Sequence, residues 1–485
     1  MKRTRSWHGR TRGGTWPAAA LLGLLVLAGC AKTPAPPQPP DNDIEIPARW
    51  SGGEAPQGEV SGSWWTRFGD PRLDALVQEA LRANYDLKAA VERLQAASAQ
   101  ARIAGAPLLP GADAGASGSR RRQNFVGFPI PGQEQRVLST TSSNSGVSLN
   151  VSWEADLWGR LRDEAQAALS QVEAGRADVA AVRQSLAAQV AKAWFAVSEA
   201  RQQVDLAQRT LESYRESAER LRFRYENGVI GPLDLRLALT NVHQTEAQLR
   251  ERRNQLQSAL RQVEILLGRY PAAQIEDPSD LPQVPGLPDA GLPAQMLSRR
   301  PDLLASQWRL LSADLRLQSA RKDLYPRLSF STGAGTSGRG LSDVFDPDLF
   351  VWNLVGNLTA PLFQGGRIRG QIELEQSRVR ELAHQFASDL LTAFAEVETA
   401  LQADRLLAQR EEDLRLNLEQ SRGALDLAEF QYRNGVEAYI TVLEAQRRAL
   451  SAETLLLTVR GQRLRNRVDL HLALGGDFSQ ETSTR

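Results

Sequence analysis

The sequence is poor in the residues that form covalent and metal cross-links. Its 485 residues include one cysteine, four histidines and two methionines. A single cysteine excludes an intrachain disulfide, and so few Cys and His residues make a metal site of that type unexpected. Neither sign of charge dominates, because the chain contains 58 Lys and Arg residues and 57 Asp and Glu residues. We therefore expect no metal, no cofactor and no nucleic-acid partner.

Long apolar runs are also scarce, and the clearest one lies near the N-terminus. The stretch AAALLGLLVLA follows a basic segment and is too short to span a bilayer, which predicts a signal peptide over residues 1–29. It ends in LAGC, which resembles the bacterial lipobox and implies cleavage before Cys30 and acylation of Cys30. An ordinary signal peptide with a chance cysteine is the alternative. Ala31, rather than Asp, permits sorting to the outer membrane by analogy with other lipoproteins. Residues 30–60 then form a lipidated, proline-rich tether.

The rest of the chain contains the same plan twice. RYENGV at 224–229 recurs as QYRNGV at 431–436, an offset of 207 residues, and WGR at 158–160 aligns with GGR at the same offset. Upstream, NYDLKAA aligns with RPDLLAS at an offset of 216. This internal duplication predicts a first structural repeat over 61–290, a second over 291–475 and a C-terminal tail over 476–485.

Proline is absent from residues 160–226, and apolar residues recur there at heptad spacing. This pattern predicts one helix about 100 Å long, with a counterpart over 367–433. Each long helix ends at an Asn-Gly-Val turn, where glycine supplies the left-handed residue. Return helices are expected near 233–267 and 438–473. An ordinary two-stranded coiled coil would show similar heptads.

Four short segments alternate apolar and polar residues, which is typical of outer-membrane β-barrel strands. They are the weak strand near 111–128 and the segments GVSLNVSWEADLW, RLSFSTGAG and FVWNLVGNLTA. An edge of a soluble β-sandwich has the same alternation. Four strands cannot close a barrel, so several chains must share one barrel if these strands span a membrane.

Taken together, the motifs resemble one family closely. The matching segments are WWTRFGDPRLDALVQEAL, WEADLWGRLR, RYENGV, LLGRYP, GLPAQMLSRRPDLLASQ, APLFQGGRIR and QYRNGVEAYITVLEAQRR. In this order they resemble outer-membrane factors of the TolC family, in its NodT-type efflux lipoprotein branch. The resemblance implies an α+β membrane protein. Three chains would contribute four strands each to a 12-stranded transmembrane barrel that continues into a periplasmic α-helical coiled-coil barrel.

The same resemblance implies the function and the partners. Such a homotrimer, lipid-anchored in the outer membrane and extending into the periplasm, would be the passive exit duct of a tripartite efflux pump. A periplasmic adaptor would join it to an inner-membrane transporter, often of the resistance-nodulation-division type. A lipid-anchored coiled-coil scaffold without conduction is the alternative.

The site residues follow from position in the family pattern. Adaptor-docking tips would be Asn227, Gly228 and Val229 in the first repeat and Asn434, Gly435 and Val436 in the second. The periplasmic gate would contain Ile440, Glu444 and Arg447 on the helix after the second tip. Some relatives carry a second acid at the position of Thr441, and Asp234, the equivalent residue of the first tip, would substitute for it here.

Two weaker signals would predict other kinds of site, but the surrounding sequence does not support them. GAGTSG at 333–338 matches a dinucleotide fingerprint, but no helical pattern opens after it, so no phosphate site is expected. His243, His384 and His471 lie on separate helical patterns and are expected at the surface. Because no nucleophile elbow, P-loop or zinc helix is present, we expect no enzyme.

Overall fold

A computed structural model describes residues 44, 46–52, 63–126, 137–276, 280–288 and 293–476. The predicted signal peptide, Cys30, most of the tether and the tail beyond residue 476 lie outside these residues. The described chain divides into two compact units. Unit 1 comprises Ser98–Ser170 and Leu311–Val379, and unit 2 comprises the remainder.

Helices make up most of the described chain. In chain order the elements are α1 (Pro71–Ala83), α2 (Tyr85–Gly105), β1 (Gly111–Phe125), β2 (Leu138–Ala155), α3 (Arg160–Glu226), α4 (Pro232–Leu266), α5 (Met296–Arg299), α6 (Pro301–Lys322), β3 (Arg327–Thr336), β4 (Phe350–Thr359), α7 (Arg367–Arg433) and α8 (Tyr439–Ala473). Short 3-10 turns lie at Trp64–Phe68, Ala106–Leu108, Pro293–Gln295, Leu341–Phe345 and Pro347–Leu349.

The two long helical hairpins have equal arms. Helices α3 and α7 contain 67 residues each, and α4 and α8 contain 35 each. All four bounds recur at the 207-residue offset of the sequence repeat. The predicted bounds of the long helices are confirmed, and those of the return helices are confirmed to within one residue. No described helix combines the length and apolarity needed to cross a bilayer.

The heptad stripe of α3 forms the core of unit 2. Its positions from Val190 to Ala218 are buried and share one hydrophobic cluster with Leu249 of α4 and Leu464 of α8. Because six helices contribute to the cluster, a simple two-stranded coiled coil does not describe it. Tyr225, the next position at this spacing, is exposed, so the buried stripe ends at Ala218.

The strands form one antiparallel sheet in unit 1, in the order β1-β2-β3-β4. Strands β3 and β4 contain ten residues each, whereas β1 has 15 and β2 has 18. Neither β1 nor β4 pairs with a further strand among the described residues. The sheet therefore has two open edges, which a closed barrel would have to satisfy between chains.

The register gives the sheet one apolar and one polar face. Side chains opposite each other in antiparallel strands point to the same face, and adjacent rows point to opposite faces. One row across the sheet is Ala114, Leu149, Ala334 and Trp352. The next row is Asp113, Asn150, Gly333 and Asn353. The predicted alternation is confirmed, and it is in phase across all four strands.

The GAGTSG motif has a packing role in this sheet. Strand β3 ends at Thr336, within the motif, and 3-10 turns and β4 follow it, so no helix N-terminus is available to hold a phosphate. At Gly335, a Cβ atom would overlap the carbonyl oxygen of Val147 on β2. Glycine therefore permits the close approach of β2 and β3.

One histidine expectation is wrong. His243 and His384 are exposed, as predicted, but the His471 side chain is fully buried at the end of α8. Its ring stacks on the Trp64 indole, with centroids 5.3 Å apart. The sequence pattern missed this contact because Trp64 comes from the other end of the described chain.

Candidate functional site: the hairpin tips

The first tip ends α3 with a left-handed glycine. Gly228 has a φ of +71°. Its N–H donates to the carbonyl of Tyr225, and the N–H of Val229 donates to that of Arg224, both at 2.9 Å. This pair of bonds is a Schellman motif, which satisfies carbonyls that the helix leaves free.

The second tip repeats this arrangement bond for bond. Gly435 has a φ of +72°. Its N–H donates to Tyr432 at 3.1 Å, and that of Val436 donates to Gln431 at 2.9 Å. The duplication thus extends from sequence to hydrogen bonding.

The tip asparagines close the same helix ends. The Asn227 side-chain amide donates to the Phe223 carbonyl at 2.7 Å. The Asn434 amide donates to the Phe430 carbonyl at 2.8 Å. Both asparagines therefore hold the turns while remaining exposed at the tips.

The surface of both tips is apolar and exposed. Val229 is 60% exposed and Val436 is 72% exposed. Phe223 and Phe430, one turn before the glycines, are also largely exposed. Exposed apolar residues recurring at equivalent places indicate a surface that a partner covers.

An aromatic cluster connects the two hairpins just behind the tips. The rings of Tyr432 and Tyr439, which flank the second tip, lie 5.3 Å apart. The Arg224 guanidinium of the first hairpin lies 5.1 Å from the Tyr432 ring centroid, within cation–π range. Burial raises the pKa values of Tyr432 and Tyr439, so both hydroxyls stay protonated at physiological pH.

Two of the expected gate residues share an exposed face of α8. Ile440 and Glu444 lie one turn apart, and each is about half exposed. The Glu444 carboxylate lies 3.7 Å from the guanidinium of Arg448, the residue after Arg447. A solvated ion pair of this kind contributes little to stability. The Glu444 carboxylate is therefore held only weakly and can interact with other charges.

The other two expected gate residues have neighbours on other helices of the hairpins. Arg447 is exposed and lines a cavity of about 790 Å³ with Tyr214 of α3 and Thr245 of α4. Asp234 is half-buried near the tyrosine cluster, where its charge helps to raise the pKa of Tyr432. Among the described residues, no hydrogen bond or ion pair joins Asp234 to Glu444.

Sequence reasoning missed the residues that join the hairpins. The RYENGV and QYRNGV repeats make Tyr225 and Tyr432 equivalent, yet Tyr225 is exposed and only Tyr432 faces Arg224. In the described part of the chain, no group of Cys, His, Asp or Glu is arranged to hold a metal. The site is therefore built from turns, apolar tips and charged helix faces.

Comparison with known proteins agrees with this geometry. The model of the outer membrane efflux protein family matches residues 76–269 and 292–476, which include both hairpins. The chain belongs to this outer membrane efflux protein family. Its members are efflux proteins rather than enzymes.

Relatives and solved structures of the efflux protein family cover almost the whole chain. The chain is 33% identical to the pyoverdine export outer membrane protein OpmQ of Pseudomonas aeruginosa, over 95% of this chain and 97% of that protein. It is 33% identical to the outer membrane protein OprJ of the same species, over 96% of both chains. The solved outer-membrane channel OprN superposes with a TM-score of 0.84 at 25% identity, over 92% of this chain and 99% of that one.

These findings confirm the expected fold class, function and location. The chain is an efflux protein of the outer membrane, with the α+β fold of solved outer-membrane channels that extend into the periplasm. A scaffold without conduction is disfavoured, because the sheet has the two faces that a water-filled barrel requires.

Proposed function

We propose that three copies of this chain form one passive exit duct. Each chain supplies four antiparallel strands, with the apolar face toward lipid and the polar face toward water. The open edges of β1 and β4 support this assembly, since an unpaired edge in lipid costs several kcal/mol per group. A lipid on Cys30 would anchor each chain further.

The duplicated tips are the docking edge for a periplasmic adaptor in this proposal. The observation that carries it is the identity of the two turns, which share arm lengths, backbone hydrogen bonds and an exposed valine. A trimer would present six such tips, and helices of a partner would fit between them. The adaptor would connect the duct to an inner-membrane transporter, for which the resistance-nodulation-division type is the leading candidate.

Replacing Gly435 with valine should uncouple the second tip from its adaptor. A β-branched residue resists positive φ at a cost of about 1–2 kcal/mol, so the Val436 surface would shift. The measurement is in vivo cross-linking from a probe placed at Glu437, scored as adaptor captured per trimer. Gly435→Asn is the matched control, because asparagine adopts the left-handed conformation readily. Equal capture by the valine and asparagine variants would contradict the proposal.

We place the closed gate on the exposed face of α8. Three copies of Glu444 and Ile440 would converge near the axis of a trimer, where the carboxylates would attract cations and the isoleucines would narrow the path. Arg447 would support the gate from the neighbouring cavity. Asp234 is a weaker member, because its half-buried carboxylate lies by the tyrosines.

Replacing Glu444 with glutamine should reduce cation preference in purified trimers. The change removes one negative charge per chain while keeping the side-chain shape, so the reversal potential in a salt gradient should move toward zero. Glu419→Gln is the control, since Glu419 is an exposed carboxylate of α7 paired with Arg415. If both variants keep the wild-type potential, Glu444 does not line the conducting path.

Bilayer conductance tests the duct itself. Trimers opened by replacing Ile440 with serine should conduct, whereas a scaffold would remain silent in every variant. Export by a strain lacking its own duct provides an independent readout.

A further inference from the structure

The β1–β2 hairpin extends well beyond the other two strands. The β2–β3 ladder covers Ser148–Ala155 of β2, with one further bridge at Ser145. Residues 138–147 of β2 otherwise pair with β1 alone. This extension lies at the end of β1 remote from α2, and therefore on the extracellular side of a protein whose helices extend into the periplasm.

Two arginines continue the apolar face into this extension. On β1 the face runs through Ala112, Ala114 and Ala116, opposite Val151, Leu149 and Val147. The same face continues through Gly118 to Arg120 and Arg122, which pair with Ser143 and Thr141. The residue between them, Arg121, belongs to the polar face.

The strand length places these arginines at the boundary of the lipid. A tilted strand crosses the hydrocarbon layer in about 9–11 residues. Counted from Gly111, where β1 begins, the crossing ends at about Arg120. Arg120 and Arg122 therefore lie at the depth of the outer-leaflet headgroups, on the side that faces lipid.

The two side chains have no anionic partner within the described residues. Both are exposed, and Arg122 donates a hydrogen bond to the Ser139 hydroxyl at 3.1 Å. The neighbouring strand offers only hydroxyl and amide groups over residues 139–145. An unpaired guanidinium presents a planar fork of donors that matches a phosphate group.

We propose that Arg120 and Arg122 bind the phosphate groups of the outer-leaflet saccharolipid, lipopolysaccharide. The apolar face below them packs against its acyl chains, and the two guanidinium groups hold its phosphorylated headgroup. Juxtamembrane cations add attraction to anionic lipid of this kind. The site lies outside the tips and the gate, so it does not depend on how the duct opens.

The test measures the affinity of lipid A for the full-length protein purified from outer membranes. Native mass spectrometry would be used to titrate diphosphorylated lipid A onto wild type and onto the double variant Arg120→Gln, Arg122→Gln. The double variant should bind about tenfold more weakly or worse. Dephosphorylated lipid A should bind both proteins equally, and inorganic phosphate should compete only at much higher concentration.

The intervening arginine gives a matched control. Arg121→Gln removes the same charge from the opposite face and should retain binding within about twofold. The double variant Arg120→Lys, Arg122→Lys should keep more affinity than Arg120→Gln, Arg122→Gln, since it preserves the charge. Equal binding by wild type and the double glutamine variant would overturn the proposal. An equal loss in Arg121→Gln would also overturn it, because the face would then not matter.

Discussion

Gly335→Ala should sharply reduce the amount of assembled protein in the outer membrane. The added Cβ would meet the backbone carbonyl of Val147, which cannot move without breaking the β2–β3 ladder. Overpacking of this kind typically costs about 1–3 kcal/mol per site. In a proposed trimer the cost would be incurred three times.

The measurement is the yield of heat-resistant oligomer from outer membranes, together with the β signal after purification. Gly118→Ala is the matched control, because Gly118 lies on β1 of the same sheet and a Cβ there meets nothing within 4 Å. We expect wild-type yield from the control. Normal assembly of Gly335→Ala would show that β2 and β3 separate more easily than the structure indicates.

Acid should weaken the helical part of the protein through His471. Burial lowers the pKa of His471 from 6.5 to about 3, and the nearby charges of Arg67 and Arg467 act in the same direction. As the pH falls below about 6.5, His471 is protonated in the unfolded chain but stays neutral in the folded chain. Stability is therefore complete above that pH and is lost between about 6.5 and 3, by at most about 1.4 kcal/mol per pH unit.

The neighbours of His471 do little to stabilise its protonated, charged form. Neither ring nitrogen has a hydrogen-bond partner among the described residues. One face of the ring stacks on Trp64. Asp404 is paired with Arg467 at 2.7 Å, so its charge is already balanced. A protonated His471 would have to leave the core or disrupt this arrangement.

His471→Phe should flatten the pH dependence of unfolding while keeping an aromatic ring on Trp64. Guanidinium midpoints followed by helical ellipticity, at pH about 7 and about 5, give the slope for each protein. His243→Gln is the control, since His243 is exposed and should leave the slope unchanged. An identical slope in wild type and His471→Phe would assign the acid sensitivity to other groups.

Local signals were sufficient to predict the hairpins and the strands. The bounds of α3 and α7 follow from proline-free heptads that end at Gly228 and Gly435, and each of these features acts within a few residues. The faces of each strand follow from the alternation of apolar and polar residues with a period of two. The register then places the apolar residues of neighbouring strands on the same face.

The remaining features depend on contacts between distant segments. His471 looks like an ordinary helical residue until Trp64 covers it. Tyr225 and Tyr432 occupy the same place in the repeat, but only the second meets Arg224 of the other hairpin. The first residues of β2, before Gly146, were also missed, because this Ser- and Thr-rich stretch lacks apolar alternation.

Equal hairpin arms restrict how a chain of this kind can evolve. Removing one helical turn from α3 and α4 alone would shorten that hairpin by about 5.4 Å and leave its end behind that of the other. Insertions and deletions in the arms should therefore survive only as compensated pairs, one in each half of the gene. Because of the duplication, two distant stretches of coding sequence must keep equal lengths.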